Sequence, residues 1–311
     1  MATIGVDLGG TKTLAVLFDD RTVQAKAKRP TPVTGGPDDV IDTVVRAITK
    51  IDPDGRAGAI GIGVPGPVIP GTGVLPAAPN LPGWDHDVPV GELLSERLGG
   101  RPVVVDNDVN VGTLAEHRLG AGVGVDNLLG VFAGTGVGAG LILDGALRQG
   151  PHGLAGEIGH SFVAFADLAS DGPGRGELED YAGRRSMEHR ARWRADHGEE
   201  TVLFDLAEGG RLKSRLWAEA IEAGDELTTR LVDQAASALA AAIASAIVLI
   251  DLELVVLGGG MAERLGETFR KRIEDELVER SFAGVITPVR AARMGDTGGA
   301  VGAALLVEDC D

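Results

Sequence analysis

Alternating apolar positions near the start of the chain predict a pair of β-strands. Apolar residues alternate over residues 4–8 and again over 13–18, and Gly9-Gly10-Thr11-Lys12 separates the two runs. A period of two is typical of strands, and a short connection that contains glycine is typical of a hairpin turn. We therefore expect a β-hairpin with a glycine tip at residues 9–12.

The same pattern recurs later in the chain. An apolar run at 128–133 leads into Gly134-Thr135-Gly136, and a further apolar run spans 141–143. Asp144-Gly145 is a hairpin turn signal, so a strand rather than a helix follows the glycines. This order disfavours a dinucleotide-binding fold, in which the glycine loop lies between a strand and a helix. Neither tip carries the GxxxxGK[ST] pattern of a Walker A loop.

The residues around the first tip favour a phosphate site. Glycine lets backbone N–H groups approach a ligand closely, and a concave run of such groups suits an anion. Thr11 adds a hydroxyl, Lys12 a positive charge, and Asp7 a carboxylate where the first strand ends. This set suits phosphate with a divalent metal ion, and two such tips could close on one polyphosphate. A single tip would fit an ordinary glycine hairpin with a chance lysine better.

The remaining apolar patterns predict alternating helices and strands. An amphipathic pattern begins at Pro37, a favourable first helical residue, and predicts a helix to about residue 51. Further strands are expected at 23–28, 59–64, 102–105, 252–257 and 285–291. Further helices are expected at 90–98, from after 108 to about 119, and at 177–197, 213–222, 225–250, from about 263, and 298–307. Arginines on the helix at 177–197 are expected to form a solvated face: Arg184, Arg185, Arg190, Arg192 and Arg194.

Three consecutive polar residues, Asp106, Asn107 and Asp108, lie between a buried strand and a helix. A helix N-cap needs a residue of this type, but it accounts for only one of the three. The carboxyl end of a strand is also where α/β folds bind their ligands. The segment is therefore a candidate site.

Three further segments carry candidate binding residues. In NLPGW, Asn80 offers hydrogen bonds and Trp84 an apolar plate for a sugar, although a tryptophan in the core fits equally well. Glu157 and His160 would share one face of a helical turn and could hold neighbouring hydroxyls, while ordinary polar residues satisfied by the fold are the simpler interpretation. Glycines 258–260, between a strand and a helix, would admit part of a nucleotide or merely allow close packing.

Composition and charge narrow the function classes. A length of 311 residues suggests two domains, and a net charge of −17 disfavours binding to nucleic acid or to an anionic membrane. The single cysteine, Cys310, excludes a disulfide within the chain. No signal peptide is expected, and the apolar run at 235–250 is read as a buried core helix because it is too short to span a bilayer. These features predict a cytoplasmic protein.

Taken together, the motifs resemble those of the ROK family of sugar kinases and repressors, and most closely its bacterial glucokinases. The resemblance covers nearly the whole chain, and its motifs follow the family order: DLGGTKT (7–13), NLPGW (80–84), NDVN (107–110), GTGVGAG (134–140), GEIGH (156–160), LGGGM (257–261) and GDTGGAVGAALL (295–306).

The resemblance implies an α/β protein with the actin-like ATPase (ribonuclease H-like) fold. Two α/β domains, each around a mixed five-stranded sheet, would flank a cleft that holds ATP. The smaller domain is expected at 1–108 plus 297–311 and the larger one at 109–296.

The resemblance also implies residue roles. Asp108 would be the catalytic base, and Asp7 would hold Mg²⁺ through water. The sugar would be bound by Asn80, Asn107, Glu157, His160 and Glu179. ATP would be bound by Gly9, Gly10, Thr11, Lys12, Thr135, Gly136, Gly258 and Gly259.

One departure from the family pattern concerns zinc. The family follows its GH with a CxCGxxGC zinc motif, and the cysteine positions fall here on Ser170, Gly172 and Glu177. Serine and glycine are not credible zinc ligands. We therefore expect no structural zinc, and a loop at 161–178 held by packing and hydrogen bonds.

The predicted reaction is transfer of the γ-phosphate of ATP to the 6-hydroxyl of a hexose, with glucose as the first candidate. An amino-hexose, mannose or a sugar-like C7 cyclitol is an alternative acceptor, and polyphosphate an alternative donor. A sugar-sensing repressor is less favoured, because only six residues precede Asp7 and the charge is wrong for DNA. A catalytically silent sugar-binding module fits poorly with Asp108 and two phosphate tips. The resemblance implies a dimer or tetramer.

Overall fold

The computed structural model describes residues 2–164 and 174–308. By its internal contacts the chain forms two compact units. The first comprises Met1–Gly124, Gly140–Gly156 and Arg293–Asp311, and the second comprises Val125–Ala139 and Glu157–Ala292.

The strands build two mixed sheets of five strands each. The strands of the described residues are β1 Thr3–Leu8, β2 Lys12–Asp19, β3 Thr22–Pro30, β4 Ile60–Val64, β5 Val103–Asn107, β6 Leu128–Ala133, β7 Val137–Leu143, β8 Ala146–Arg148, β9 Leu254–Gly258 and β10 Val289–Ala291. The first sheet has the order β3-β2-β1-β4-β5, and the second has the order β10-β9-β6-β7-β8. In the first sheet β1 is antiparallel to β2 and parallel to β4. The first glycine tip connects β1 to β2 and the second connects β6 to β7, and the two strands of each pair are neighbours in their sheet.

Helices follow most of the expected segments. Those of the described residues are α1 Pro37–Ile51, α2 Val90–Arg97, α3 Asp108–Leu119, α4 Leu178–Ala182, α5 Arg184–Asp196, α6 Leu203–Ala207, α7 Ser214–Glu222, α8 Glu226–Ile250, α9 Gly260–Glu279 and α10 Gly298–Glu308, with short 3-10 turns at Ile158–His160 and Gly295–Thr297. The helix expected at 177–197 is interrupted at Gly183, which has extended backbone angles between α4 and α5. The strand expected at 285–291 is shorter, because Val285 and Ile286 are exposed and only the last three residues pair with β9.

In the first unit, helices cover both faces of the first sheet. Apolar side chains of β1 at even-numbered positions and the buried face of α1 share one core. On the opposite face α10 lies very close to the sheet and to α3, since a Cβ on Gly61 would lie 1.7 Å from the backbone oxygen of Ala303 and one on Gly302 1.7 Å from that of Val111. This packing places all of α3 in the first unit, whose first segment runs to Gly124. The domain division implied by the resemblance, 1–108 plus 297–311 and 109–296, stays a prediction.

In the second unit, α8 packs against α9 and α4. Within the described part of the chain, α8 is the single helix long and apolar enough to cross a membrane. Its buried residues end at Ile243, whereas Val248 and Leu249 at its C-terminal end are exposed. The helix α8, expected to be a buried core helix, is therefore buried on one face along about its first two thirds, and its C-terminal end is exposed.

Candidate active site

The first glycine tip is braced by its own hairpin and by a neighbouring threonine. The Gly9 N–H donates to the Lys12 carbonyl at 2.9 Å, and the Thr31 hydroxyl donates to the Gly9 carbonyl at 2.7 Å. A Cβ on Gly10 would lie 2.9 Å from the Asn80 carbonyl oxygen, so glycine is required there for the exposed Asn80 to lie against the tip. The tip and the predicted sugar residue Asn80 are thus neighbours.

Asp7 places a carboxylate beside this tip. Burial raises the pKa of Asp7, the Lys12 ammonium lowers it and the Asp296 carboxylate raises it. Lys12 Nζ lies 3.5 Å from Asp296 Oδ1. A Cβ on Gly299, at the start of α10, would lie 3.1 Å from the Asp7 Cγ. The helix therefore packs tightly against the Asp7 carboxylate, and a side chain larger than glycine at position 299 would crowd it.

This arrangement fits a divalent cation. The Asp7 carboxylate lies within electrostatic reach of a second carboxylate, Asp296, which raises the pKa of Asp7. Carboxylate oxygens and water are the ligands that Mg²⁺ prefers. Asp7 therefore has the donor chemistry that the sequence predicts for a magnesium ligand.

The end of β5 carries a buried polar network that was only partly predicted. Asp106 is 2% exposed, and its carboxylate accepts from the Asn107 N–H at 2.7 Å, the Asn110 Nδ2 at 2.9 Å and the Gln149 Nε2 at 2.8 Å. Burial raises the pKa of Asp106, and the hydrogen bonds oppose this rise. Gln149 lies 43 residues further along the chain, so no sequence pattern links it to this site.

Asn107 serves as the N-cap of α3. Its Oδ1 accepts from the N–H groups of Val109 and Asn110 at 2.8 and 3.1 Å, and its Nδ2 donates to the Gly66 carbonyl at 3.1 Å. Both polar atoms of the side chain therefore already have protein partners. The sugar-binding role expected for Asn107 stays a prediction, and any sugar would have to share these atoms.

Asp108 is the first residue of α3 and is half-buried. This position is at the N-terminal end of the helix, where the helix dipole is positive. Gly63 of β4 lets the helix start close to the sheet, since a Cβ there would lie 3.2 Å from the Asp108 Cα. Strand, cap and glycine together fix where the Asp108 backbone lies.

Trp84, by contrast, belongs to the core of the first unit. It is 2% exposed and packs with the apolar residues between the first sheet and α1 and α2. The prediction that its ring forms an exposed plate for a sugar is therefore wrong, and the core interpretation is correct. Asn80 is the member of NLPGW that stays accessible.

The second tip, between β6 and β7, is held by the start of α5. The Arg184 N–H donates to the Gly134 carbonyl at 3.1 Å, and the Arg184 Nη2 donates to the Thr135 hydroxyl at 3.2 Å. Its Nη1 donates to the Leu212 carbonyl at 2.7 Å. The prediction that Arg184 lies on a solvated face is wrong, because three partners distant in sequence bind it. It is also wrong for Arg190, which is 3% exposed.

Glu179 of α4 lies against the same tip. Its Oε2 accepts from the Val137 N–H at 2.7 Å, and a Cβ on Gly136 would lie 2.1 Å from that oxygen. A Cβ on Gly183 would lie 2.8 Å from the Glu179 Cγ. Glycine at positions 136 and 183 therefore makes room for the Glu179 carboxylate. The predicted sugar residue Glu179 is thus in direct contact with the second predicted phosphate tip.

Glu157 and His160 lie within electrostatic reach of each other and of Glu179. Burial raises the pKa of Glu157, the His160 imidazole lowers it and the Glu179 carboxylate raises it. The His160 Nδ1 lies 3.0 Å from Glu177 Oε2, a partner that was not among the predicted site residues. The hydrogen bond to Glu177 raises the pKa of His160, burial opposes it, and the other carboxylates add to the rise. The second unit thus brings Glu157, His160 and Glu179 near one another, and their sugar-binding role stays a prediction.

The two glycines after β9 are explained by close packing. A Cβ on Gly258 would lie 2.8 Å from the Phe132 ring, and one on Gly259, whose φ is +90°, would lie 2.4 Å from the Ala133 carbonyl oxygen. These contacts favour the packing alternative, and the nucleoside-binding role of Gly258 and Gly259 stays a prediction. The two phosphate tips belong to different units, so their joint action on one polyphosphate also stays a prediction.

Of the expected zinc positions, Ser170 and Gly172 lie outside the described residues, as does Cys310. Glu177 is described and hydrogen-bonds to His160. Over residues 2–164 and 174–308, no group of three or more histidine, cysteine, aspartate or glutamate side chains has the arrangement of a metal site. The expected absence of structural zinc stays a prediction.

Comparison with known proteins identifies the family. A family model described as ROK family matches residues 3–310. The chain is 30% identical over 311 residues to a glucokinase of Thermotoga maritima (98% of this chain, 97% of the relative). It is 30% identical over 306 residues to an N-acetyl-D-glucosamine kinase of Pasteurella multocida (97% and 98%). Its structure matches, with a TM-score of 0.81 and 31% identity, a ROK family glucokinase from Streptomyces griseus in complex with glucose and AMPPNP (98% and 99%). The predicted actin-like α/β fold is thereby confirmed, and the chain belongs to the ROK family.

Proposed function

We propose that this chain is a sugar kinase that transfers the γ-phosphate of ATP to the 6-hydroxyl of a hexose, with glucose as the first candidate acceptor. The observation that carries the proposal is the half-buried residue Asp108, whose backbone is held at the start of α3 by the Asn107 cap and the Asp106 network. The glucokinase of Thermotoga maritima and the Streptomyces griseus glucokinase bound to glucose and AMPPNP support both substrates.

Asp108 would act as the general base. Its carboxylate accepts the proton of the sugar 6-hydroxyl while that oxygen bonds to the γ-phosphorus, and the bond from the γ-phosphorus to the β,γ-bridging oxygen breaks to release ADP. The transition state of phosphoryl transfer is loose, so much of the catalysis comes from positioning and charge neutralisation. General-base help typically contributes about 10²–10⁴-fold.

The two tips would bind the phosphates of ATP. Backbone N–H groups of Gly10–Lys12 and of Thr135–Gly136 would offer donors, and Lys12 would offer a positive charge within the first tip. Asp7 would hold Mg²⁺ through water, and the ion when bound neutralises negative charge on the phosphates. Arg184 keeps Thr135 in place through its hydroxyl and so shapes the second tip.

The sugar would be held by the residues that can exchange hydrogen bonds with several hydroxyls. Glu157, His160 and Glu179 provide two carboxylates and an imidazole, and Asn80 and Asn107 provide amides. A second acceptor is N-acetyl-D-glucosamine, because an N-acetyl-D-glucosamine kinase is as similar to this chain as the glucokinase of Thermotoga maritima is. The protein would act in the cytoplasm, where ATP and free hexose occur together, as a dimer or tetramer.

The experiment that tests the proposal measures ADP release with a panel of acceptors. The panel contains glucose, mannose, glucosamine, N-acetyl-D-glucosamine, a C7 cyclitol and 6-deoxyglucose, each with ATP. With polyphosphate as donor, which yields no ADP, formation of the sugar phosphate is measured instead. We expect ADP release with glucose and ATP, and none with 6-deoxyglucose, which lacks the hydroxyl to be phosphorylated. Phosphorylation of N-acetyl-D-glucosamine in preference to glucose would select the second acceptor. No release above the rate without acceptor would refute a sugar kinase.

A further inference from the structure

A histidine and a glutamate form a close pair beside the predicted sugar residues. His160 ends the 3-10 turn Ile158–His160, and its Nδ1 lies 3.0 Å from Glu177 Oε2. Glu177 is the N-cap of α4, its side chain is only 15% exposed, and its other oxygen lies 3.5 Å from the Arg175 Nη1. One oxygen of this carboxylate therefore lies against the His160 imidazole and the other near the Arg175 guanidinium, and the two contacts together favour one orientation of the carboxylate.

We propose that Glu177 is a positioning residue of the sugar site, whose carboxylate holds the His160 imidazole by Nδ1 so that its Nε2–H donates to a hydroxyl oxygen of the acceptor sugar. The inference rests on the proposed sugar kinase function and adds to it a residue that touches the histidine rather than the substrates. His160 is itself exposed, so its Nε2 is accessible to a ligand.

Protonation decides what this pair can do. A neutral imidazole that donates from Nδ1 to Glu177 has no proton on Nε2 and can only accept there, whereas the imidazolium donates from both nitrogens. The groups that face His160 are the carboxylates of Glu177, Glu157 and Glu179, with the Arg175 guanidinium on the far side of Glu177. The hydrogen bond to Glu177 raises the pKa of His160, burial opposes this, and all three carboxylates add to the rise. The donor form therefore persists to a higher pH than for a free histidine.

The position of Glu177 suggests that its carboxylate takes over the role that a zinc ligand would have in orienting His160. Residue 177 falls where the family resemblance places the third cysteine of a zinc motif, and here it carries a carboxylate. A carboxylate offers His160 a negatively charged acceptor without a metal ion. The hydrogen bond between the two residues supplies an orienting contact for the imidazole that needs neither Ser170 nor Gly172.

The test uses Glu177→Gln, which keeps an oxygen that can accept from Nδ1 and can cap α4 but removes the charge. We expect KM for the sugar to rise at least about threefold at pH 8, with kcat little changed. We also expect the rise in KM with pH to begin at a lower pH than in the wild type. The matched control is Glu188→Gln on α5, which removes a carboxylate of similar exposure (18%) that pairs with Arg192. The control should leave the KM–pH profile unchanged.

Two further measurements distinguish a positioning role of Glu177 from a purely structural one. NMR titration of His160 needs neither ATP nor sugar and should give a pKa above the ordinary histidine value in the wild type and a lower one in Glu177→Gln. In a His160→Gln background, Glu177→Gln should produce no further change in sugar KM, because the residue it acts through is gone.

Failure of this inference differs from failure of the proposed function. If the wild type phosphorylates no acceptor, the proposed function fails. If the wild type phosphorylates a sugar but Glu177→Gln leaves both KM and its pH profile as in Glu188→Gln, the positioning role is refuted. A wild-type His160 pKa at or below the ordinary value would also refute it, even if the variant does not fold.

Discussion

Replacing Gly136 by alanine should disable the second tip without unfolding the protein. The new Cβ would lie 2.1 Å from Glu179 Oε2 and 2.8 Å from its Cδ, well inside the ordinary contact distance. Gly136 has no positive φ, so its backbone accepts an alanine without strain. The Glu179 side chain must therefore swing away, and its hydrogen bond of 2.7 Å from the Val137 N–H is lost.

The size of the effect follows from that lost hydrogen bond. A hydrogen bond to a charged group contributes about 1.5–3 kcal/mol. If the bond holds both the tip and the sugar-binding carboxylate in their working positions, this corresponds to a loss in kcat/KM of about 10–150-fold. Water can partly satisfy the displaced carboxylate, so we expect the lower end of this range.

The matched control is Gly134→Ala, two residues away in the same tip, where a Cβ would meet no atom within 4 Å. Coupled measurement of ADP release, with sugar and ATP varied in turn, gives kcat/KM for each substrate in wild type and both variants. Thermal unfolding checks that each variant is folded. We expect Gly136→Ala to lower kcat/KM for the sugar and for ATP, and Gly134→Ala to have a small effect on sugar. Equal kcat/KM for the sugar in the two variants would refute the claim that Glu179 supports the site from this position.

Three other substitutions test the fold and the first tip. Gly302→Ala should lower the free energy of unfolding by about 1–3 kcal/mol in denaturant titration, because its Cβ would lie 1.7 Å from the Val111 backbone oxygen; an unchanged midpoint would contradict this. Burial alone would raise the pKa of Asp52, but hydrogen bonds from two backbone N–H groups and from Arg101 outweigh burial and lower the pKa. The stability that the Asp52 carboxylate contributes is therefore present above about pH 4 and is lost as the pH falls. Asp52→Asn should therefore cost about 1–3 kcal/mol at pH 7 and less at pH 3, and a cost independent of pH would argue against this ion pair. Lys12→Met should raise KM for ATP about tenfold or more while KM for the sugar changes little, and an unchanged KM for ATP would remove Lys12 from the phosphate site.

The local sequence pattern was enough to predict those elements whose start, end and buried face are specified by residues close together in the chain. Helix α1 begins at Pro37 and ends at Ile51, as predicted, because a proline at the first turn and an apolar stripe specify both its start and its buried face. The glycine tip between β1 and β2 formed where the two apolar runs met it. The candidate carboxylates Asp7 and Asp108 also lie where the sequence predicts, at the end of a strand and the start of a helix.

Contacts between residues distant in the sequence could not be predicted in the same way. A charged residue on a helix looks solvated from its spacing alone, yet Arg190 is buried over the Tyr181 ring and donates to Gln234, 44 residues away. Gly183 interrupts the expected helix because the Glu179 side chain and the second tip need its space. Asn107 shows that one residue can fit two interpretations, since its amide caps α3 while its sugar-binding role stays a prediction.

The central claim, that Asp108 accepts the proton of the attacking sugar hydroxyl, is tested most directly by kcat of Asp108→Asn with glucose and ATP. Asparagine keeps the shape of the side chain but has no basic carboxylate, so the variant should fold, melt near the wild-type temperature and still bind glucose. We expect its kcat to fall by about 10²–10⁴-fold, with ADP and hexose 6-phosphate formed in equal amounts by the wild type. A kcat close to that of the wild type in a folded variant would contradict the account.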